Sequence, residues 1–290
     1  KPGSAFIKHA YYLYPQNDSL LYACAENGLY KLNLQSGLAT AIEEGKPYDY
    51  IFTAPGGNLL ASAPEGLVEI RKHKPVKFQD KAFLNAGNVR MNSLEKFGDS
   101  LLVAGTENYR GIFLWNYKRK RTWFLNTQSS PIKLRENITN LVKKLSDEKL
   151  ALLGDERFSI IDMKNEVIKD LTPVHTNGNP FSLFFDIEKL KNNYYLASYG
   201  RGVLILDTFF QMKGIIDVQN GLSNAGVYKL LNWKDSFLFI TSNNGLNVYN
   251  PLTNKITSYF KSDGLQDDTF EETSGAKLEN VLFAGGVNGF

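Results

Sequence analysis

The residues Ser236–Asn250 read SFLFITSNNGLNVYN, and Lys255–Phe260 continue as KITSYF. The first part alternates apolar and polar side chains like a strand and ends in small residues, and a polar turn closed by Gly245 follows it. A second alternating strand leads through the turn Pro251–Asn254 into a third strand. Alternation of period two, interrupted by Asn, Gly and Pro, is typical of antiparallel hairpins. This stretch therefore predicts three consecutive strands joined by tight turns.

The same pattern recurs along the whole chain. The residue that closes the first turn, Gly245 in the copy above, lies at positions 28, 66, 111, 157, 202, 245 and 289. Successive copies are therefore 38, 45, 46, 45, 43 and 44 residues apart. Six of these positions hold glycine, which adopts the positive φ of a tight turn without steric cost. The fourth copy has Arg157 instead, which predicts a strained or rebuilt turn there. A period in the mid-forties is typical of one four-stranded propeller blade.

A fourth strand precedes each copy of the pattern, for example Val227–Trp233. We name the strands of a blade A to D, with A lining the central channel; in the third blade they are expected at 89–97, 101–106, 111–116 and 121–125. No stretch shows the 3.6-residue apolar period of a helix. The sequence predicts an all-β fold: a single seven-bladed β-propeller over residues 1–290, with four-stranded antiparallel blades and a last blade truncated at Phe290.

Composition and motifs exclude several classes of function. The formal net charge is only +3, from 33 basic and 30 acidic residues, which argues against a nucleic-acid partner. One cysteine and three scattered histidines offer no metal-ligand spacing, so no metal and no cofactor are expected. Nucleotide-binding and nucleophile-elbow motifs are missing as well. The sequence therefore predicts no catalytic residues and a binding module rather than an enzyme.

Several segments are similar to two-component-regulator propeller repeats. These are Gly221-Leu-Ser-Asn224 before Val227-Tyr-Lys-Leu230, Asn243–Asn250, and Asp263-Gly-Leu-Gln266 followed by Phe270 and Leu282–Phe290. Such repeats occur in the periplasmic sensor region of hybrid two-component system histidine kinases from glycan-degrading bacteria. In that family a second propeller precedes this one, and an immunoglobulin-like domain, a membrane helix and a kinase follow. The resemblance implies that the chain is a fragment of a longer sensor.

The resemblance implies a function as well. It predicts a periplasmic, ligand-sensing propeller that responds to an oligosaccharide or glycan fragment and passes the signal to a kinase outside this chain. One alternative is a structural or protein-interaction propeller that contacts other domains of the same sensor or a second copy in a homodimer. The weakest alternative is a carbohydrate-active enzyme.

Candidate ligand-binding residues lie on the face that carries the B–C and D–A connections, because strand direction alternates within a blade. Three consecutive B–C connections contain an arginine, in Asn108-Tyr109-Arg110, in Asp155-Glu156-Arg157 and in Tyr199-Gly200-Arg201. Aromatic rings stack on sugars, while arginine and carboxylate groups hydrogen-bond hydroxyl or anionic groups. The predicted site residues are Tyr109, Arg110, Arg157, Tyr199, Arg201, Asp267 and Asp268. The neighbouring pair Glu271-Glu272 is expected to face solvent.

Overall fold

The computed structural model describes residues 5–107, 109–175 and 177–290, without the side chain of Leu84. Nearly all of its regular structure is antiparallel β-sheet: six sheets of four strands and one sheet of two. In every four-stranded sheet each strand pairs with its neighbours in sequence, as the repeated hairpin pattern predicts. The prediction of an all-β propeller with four-stranded antiparallel blades is confirmed.

The strands follow the chain blade by blade. Blade 1 contains β1 (Ala10–Asn17), β2 (Leu20–Ala25), β3 (Gly28–Asn33) and β4 (Leu38–Glu44). Blade 2 contains β5 (Tyr50–Thr53), β6 (Leu59–Ala63), β7 (Gly66–Arg71) and β8 (Lys74–Lys77). Blade 3 contains β9 (Met91–Phe97), β10 (Leu101–Thr106), β11 (Ile112–Asn116) and β12 (Arg121–Leu125).

The second half of the chain continues the same order. Blade 4 contains β13 (Leu141–Lys144), β14 (Lys149–Leu153), β15 (Phe158–Asp162) and β16 (Val167–Asp170). Blade 5 contains β17 (Phe184–Leu190), β18 (Asn193–Ser198), β19 (Gly202–Leu206) and β20 (Met212–Ile216). Blade 6 contains β21 (Val227–Trp233), β22 (Phe237–Ser242), β23 (Leu246–Asn250) and β24 (Lys255–Tyr259).

The last repeat forms only a two-stranded sheet, β25 (Phe270–Leu278) and β26 (Val281–Gly286). The structure therefore has six blades, and the prediction of seven was wrong. The physical reason is length, because the four residues that follow β26 cannot form two further strands. The two-stranded sheet nevertheless fills the gap between blades 6 and 1, since β25 contacts both β21 and β1.

One short helix, α1 (Lys81–Ala86), connects blades 2 and 3. Asp80 caps it by accepting a hydrogen bond from the backbone N–H of Ala82 at 2.8 Å. Six residues are too few to show a helical apolar period, which is why the sequence pattern did not predict it. Among the described residues, no helix is both long and apolar enough to span a membrane.

The recurring glycine has a second role besides its turn conformation. Gly202 has φ +93°, and a Cβ atom on it would lie 2.2 Å from the carbonyl oxygen of Ile216 in the outermost strand of its blade. Gly111 meets the carbonyl oxygen of Leu125 at the same 2.2 Å. At these two positions glycine allows strands C and D to stay close where the B–C connection ends and strand C begins.

Apolar side chains from neighbouring blades form the core between the sheets. The cluster between blades 2 and 3 shows this packing: Phe83 of α1 lies 4.7 Å from Trp115 and 5.1 Å from Phe113, measured between ring centroids. Similar clusters join the other blades. The core is thus a set of inter-blade layers, which leaves polar groups free to line the channel.

Candidate functional site

A cavity of about 510 Å³ opens at the centre of the B–C and D–A face. We call it the mouth. Its walls come from the inner strands and connections of blades 1 to 5 and from β25. Such a concave site of several hundred Å³ at the axis, lined by both polar and aromatic groups, has the size of a small-ligand pocket.

Five carboxylates line the mouth, whereas Arg90 is the one basic side chain in its wall among the described residues. The carboxylates belong to Asp49, Glu107, Asp155, Glu271 and Glu272. Arg90 is already paired, because its Nε and Nη2 donate to the two carboxylate oxygens of Asp49 at 3.0 and 2.8 Å. The mouth therefore carries net negative charge.

Three acidic groups of the mouth have a raised pKa, in each case chiefly because the cavity walls withdraw them from water. Enclosure by the cavity walls, together with the nearby charges of Glu271, Glu107 and Asp155, raises the pKa of Glu272 to about 7. Burial also raises the pKa of Glu271 and of Glu107. Asp155 is held by the side-chain amide of Asn140, which donates to its Oδ1 at 3.0 Å. In the described part of the chain, no group of three or more potential ligands is arranged to hold a metal ion.

An aromatic platform borders the mouth on blades 5 and 6. It consists of Phe185, Tyr199 and Tyr228, whose ring centroids lie 5.5 to 6.2 Å apart. Asn243 fixes the two tyrosines: its Nδ2 donates to the Tyr199 hydroxyl at 2.9 Å, and its Oδ1 accepts from the Tyr228 hydroxyl at 2.9 Å. Phe185 also lines the mouth. The platform can therefore stack an apolar sugar face beside the polar cavity.

Below the mouth the channel narrows to a second cavity of about 220 Å³, lined by the charged side chains of Glu95, Lys143 and Lys229. The two lysines are paired, whereas Glu95 has no salt bridge within the described part of the chain, and burial raises its pKa. Asp186 is fully buried and accepts from Lys143 Nζ and Lys229 Nζ, each at 3.0 Å. Lys143 also pairs with Glu188 at 2.7 Å. Burial alone would raise the pKa of Asp186, but the two ammonium groups outweigh it and hold that pKa below its ordinary value. These pairs connect the inner strands of blades 4, 5 and 6.

Of the seven predicted site residues, only Tyr109 lines the mouth, and it is 67% exposed. Asn108 lies outside the described residues. Arg110 faces away from the cavity: its Nη1 donates to the carbonyl oxygens of Ala86 at 2.9 Å and Asn88 at 3.2 Å. Its guanidinium also lies 3.9 Å from the centre of the Phe124 ring. These contacts give Arg110 a structural role.

Arg157 lies in a rebuilt turn rather than a strained one. The carboxylate of Glu136 accepts from the backbone N–H groups of Arg157 at 2.8 Å and Glu156 at 3.1 Å. The Arg157 side chain pairs with Asp170 in its own blade at 3.5 Å. Arg201 is exposed on the rim and does not line the mouth, whereas Tyr199 belongs to the aromatic platform. The structure does not bring the three arginines together around one site.

Asp267 and Asp268 organise the connection between blade 6 and β25. Asp267 accepts from Lys261 Nζ at 3.2 Å and from Asn288 Nδ2 at 2.6 Å, and these contacts lower its pKa. Asp268 Oδ1 accepts from the backbone N–H of Lys261 at 2.6 Å. Neither residue lines the mouth. Both carboxylates are occupied by contacts within the chain.

Several functional candidates were missed from the sequence. Glu271 and Glu272 were expected to face solvent, and Glu272 is exposed, but the sequence did not predict that both line the mouth, which they do because β25 is an inner strand. Phe185 and Tyr228 stand on the inner strands β17 and β21. The signal that could have identified them is their position near the start of a strand A, on the same face as the B–C connections.

No protein-family model matches the sequence, and no curated protein sequence matches it. Solved structures do match. The extracellular domain of BT3049 from B. thetaiotaomicron, described as a hybrid two component system, has a TM-score of 0.83 at 15% identity over 100% of this chain and 39% of that chain. The extracellular domain of BT4673 from the same organism, also described as such a system, has a TM-score of 0.58 at 13% identity over 96% of this chain and 46% of that chain. This chain therefore spans about two fifths to one half of their length.

An enzyme shares the fold as well. Virginiamycin B lyase from Staphylococcus aureus matches with a TM-score of 0.61 and 14% identity over 87% of this chain and 84% of the lyase. The propeller fold alone therefore does not separate a sensor from an enzyme. The structural similarity to the extracellular domains of two-component systems confirms, at the level of the fold, the resemblance carried by the sequence repeats.

Proposed function

We propose that this chain is the ligand-sensing propeller of a periplasmic two-component sensor and that it binds an oligosaccharide in the mouth. The observation that carries the proposal is the mouth itself: a 510 Å³ cavity whose wall combines Tyr109 and Phe185 with carboxylate and amide groups. Aromatic faces next to hydrogen-bond acceptors fit the alternating apolar and hydroxyl-rich surfaces of a sugar.

The charge of the mouth narrows the ligand class. With five carboxylates and one guanidinium that is already paired, a polyanionic glycan would meet like charge. We therefore propose a neutral or amine-bearing glycan rather than a uronic-acid polymer. This differs from the arginine-rich rim suggested by the sequence, because Arg110 and Arg157 are engaged within the fold.

A glycan panel tests this proposal by isothermal titration calorimetry. The panel contains arabino-, xylo- and malto-oligosaccharides, deacetylated chito-oligosaccharides and oligogalacturonides. At least one neutral or amine-bearing member is expected to bind, and the oligogalacturonides are expected not to. A mouth variant, Tyr109→Ala with Glu107→Gln, should lose at least tenfold in affinity, which corresponds to about 1.4 kcal/mol.

The matched control is a rim variant, Arg157→Ala with Arg201→Ala, which leaves the mouth unchanged. It should bind like the parent chain. Loss of binding in the folded rim variant, with full binding in the mouth variant, would place the site on the rim. Absence of binding by every member of the panel would contradict the oligosaccharide proposal.

We also propose that the segment binds without catalysis. Incubating the chain with the same panel should produce no new reducing ends over time. Turnover that disappears in Asp267→Asn or Asp268→Asn would make it an enzyme. The proposed periplasmic location is tested by the flanking coding sequence, where an export signal upstream and a membrane helix and kinase downstream are expected. A cytosolic full-length protein would contradict it.

A further inference from the structure

The carboxylates along the channel differ in whether a cation pairs with them. Next to the lower cavity, Asp186 and Glu188 each have a lysine ammonium within 3.0 Å, whereas Glu95, which lines that cavity, has none among the described residues. In the mouth, no salt bridge joins Glu107, Asp155 or Glu272 to a basic side chain of the described chain. Carboxylates enclosed by cavity walls without a cationic partner keep a proton more readily than paired ones. The mouth therefore gathers several unpaired carboxylates in one cavity of the size of a small-ligand pocket.

Glu272 stands among acidic groups from several elements. Glu271 neighbours it on β25, Glu107 comes from the β10–β11 connection, and Asp155 comes from the β14–β15 connection. Within the described ranges, the other titratable and charged groups around this wall are His9, 3.8 Å from Glu271, Glu26 beside His9, Tyr11 on β1, Tyr109, Tyr228 on β21, and the Arg90–Asp49 pair. Arg90 is engaged by Asp49, so no free cation of the wall offsets Glu272.

We propose that the mouth is a proton-coupled site, in which a hydrogen-bond donor of the ligand and a proton compete for the carboxylate of Glu272. This inference rests on the proposed ligand binding in the mouth and adds its regulation. A hydroxyl or ammonium donor binds an ionised carboxylate more strongly than a protonated one. Ligand binding should therefore release the proton, and acidification should weaken binding.

The direction of the pH dependence follows from linkage. Glu272 is solvent-exposed, which screens part of the repulsion, yet the walls and the three neighbouring acids still raise its pKa to about 7. Below that pH the group is protonated, and above it the group is ionised and ready to accept. Affinity for a donor ligand should rise with pH through about 7, by no more than tenfold per pH unit for one displaced proton.

The proton site is tested on the ligand-free chain. Carbon-13 NMR of the glutamate side-chain carboxyl groups should show one glutamate that titrates near neutrality. Glu272→Gln should remove that titration. The matched control is Glu279→Gln, because Glu279 is exposed in the β25–β26 turn and does not line the mouth. If every glutamate titrates below about pH 5.5, as ordinary glutamates do, the inference is wrong.

The coupling is tested with the panel glycan that binds most tightly. Calorimetry at pH 7 in phosphate and in Tris buffer should show release of up to one proton in the parent chain and none in Glu272→Gln. Glycan binding without proton release would overturn the coupling while leaving the proposed function intact. If Glu272 titrates near pH 7 but no glycan binds, the proposed function and the coupling are contradicted. Only the assignment of Glu272 as a proton site would then stand.

Discussion

Replacing Asp186 by asparagine tests how the paired charges of the lower channel stabilise the ring. Asp186 Oδ1 accepts from Lys143 Nζ at 3.0 Å and from the backbone N–H of Ile187 at 2.9 Å. Its Oδ2 accepts from Lys229 Nζ and from the backbone N–H of Leu230, each at 3.0 Å. Asparagine supplies only one acceptor oxygen and places an amide donor where the other oxygen was. The two N–H donors on that side then face the amide N–H group of the asparagine instead of an acceptor.

The size of the effect follows from the partners that remain. Lys143 keeps Glu188 at 2.7 Å, but the salt-bridge partner of Lys229 is lost, and its side chain is only 15% exposed. Breaking a buried pair by removing one partner costs about 3–5 kcal/mol. Glu188→Gln is the matched control on the same strand. Its carboxylate is 25% exposed and Lys143 keeps Asp186, so we expect a loss of only about 1 kcal/mol.

Urea denaturation, followed by the fluorescence of the three tryptophans, measures both variants. Adding Lys229→Met to Asp186→Asn should recover part of the lost stability, because the unpaired ammonium is then removed. A change of under 1 kcal/mol in Asp186→Asn, or an equal change in Glu188→Gln, would refute the reasoning that this network fastens blades 4, 5 and 6 together.

Three further predictions concern stability and reactivity. Gly202→Ala should lower the free energy of unfolding by roughly 3 kcal/mol or more, because its Cβ would meet the Ile216 carbonyl. Gly264→Ala, at a similar φ but with open space around it, should lower it by only about 1 kcal/mol. Equal losses would contradict the close-approach argument. Glu136→Ala should lower the free energy of unfolding by about 2 kcal/mol, because two backbone N–H groups lose their acceptor. Glu156 is exposed, so Glu156→Ala should change the stability little. An unchanged stability in Glu136→Ala would refute the rebuilt turn. Cys24 is fully buried and burial raises its thiol pKa, so a thiol reagent should label it only after unfolding, and rapid labelling of the native chain would contradict its placement.

The acid dependence of stability has a definite sign at Asp186. Its pKa is held below the ordinary value, so its contribution to the free energy of unfolding is present above about pH 4 and is lost as the pH falls below that value. In denaturation at pH 5 and pH 3, the parent chain should lose more stability than Asp186→Asn. An equal loss in both would show that other carboxylates dominate acid unfolding.

Period and turn chemistry were enough to predict the propeller and, for the third blade, the approximate bounds of its strands. In blade 3 the expected second strand at 101–106 and fourth strand at 121–125 match β10 and β12. These features are local, since alternation and glycine turns act within one hairpin. The number of blades was predicted wrongly because the truncated last repeat was counted as a seventh blade from its turn at Gly289, whereas it forms only the two strands β25 and β26.

The candidate site was harder to predict because it depends on contacts between blades. Arg110 lies in a B–C connection as expected, but its guanidinium turns back to Phe124 and two carbonyl groups of the preceding connection. Glu272 reads as part of a solvated acidic run, yet its strand is the inner one and its neighbours come from blades 3 and 4. Sequence order does not show which side chains meet at the axis, and only the closed ring does.

The most direct test of the account is a crystal structure of the chain soaked with the panel glycan that binds most tightly. The account predicts glycan density in the mouth, between Tyr109, Phe185 and the carboxylate of Glu272, with a further sugar stacked on Tyr199. Density on the opposite face of the propeller, or on the rim beside Arg157 and Arg201 with an empty mouth, would contradict it.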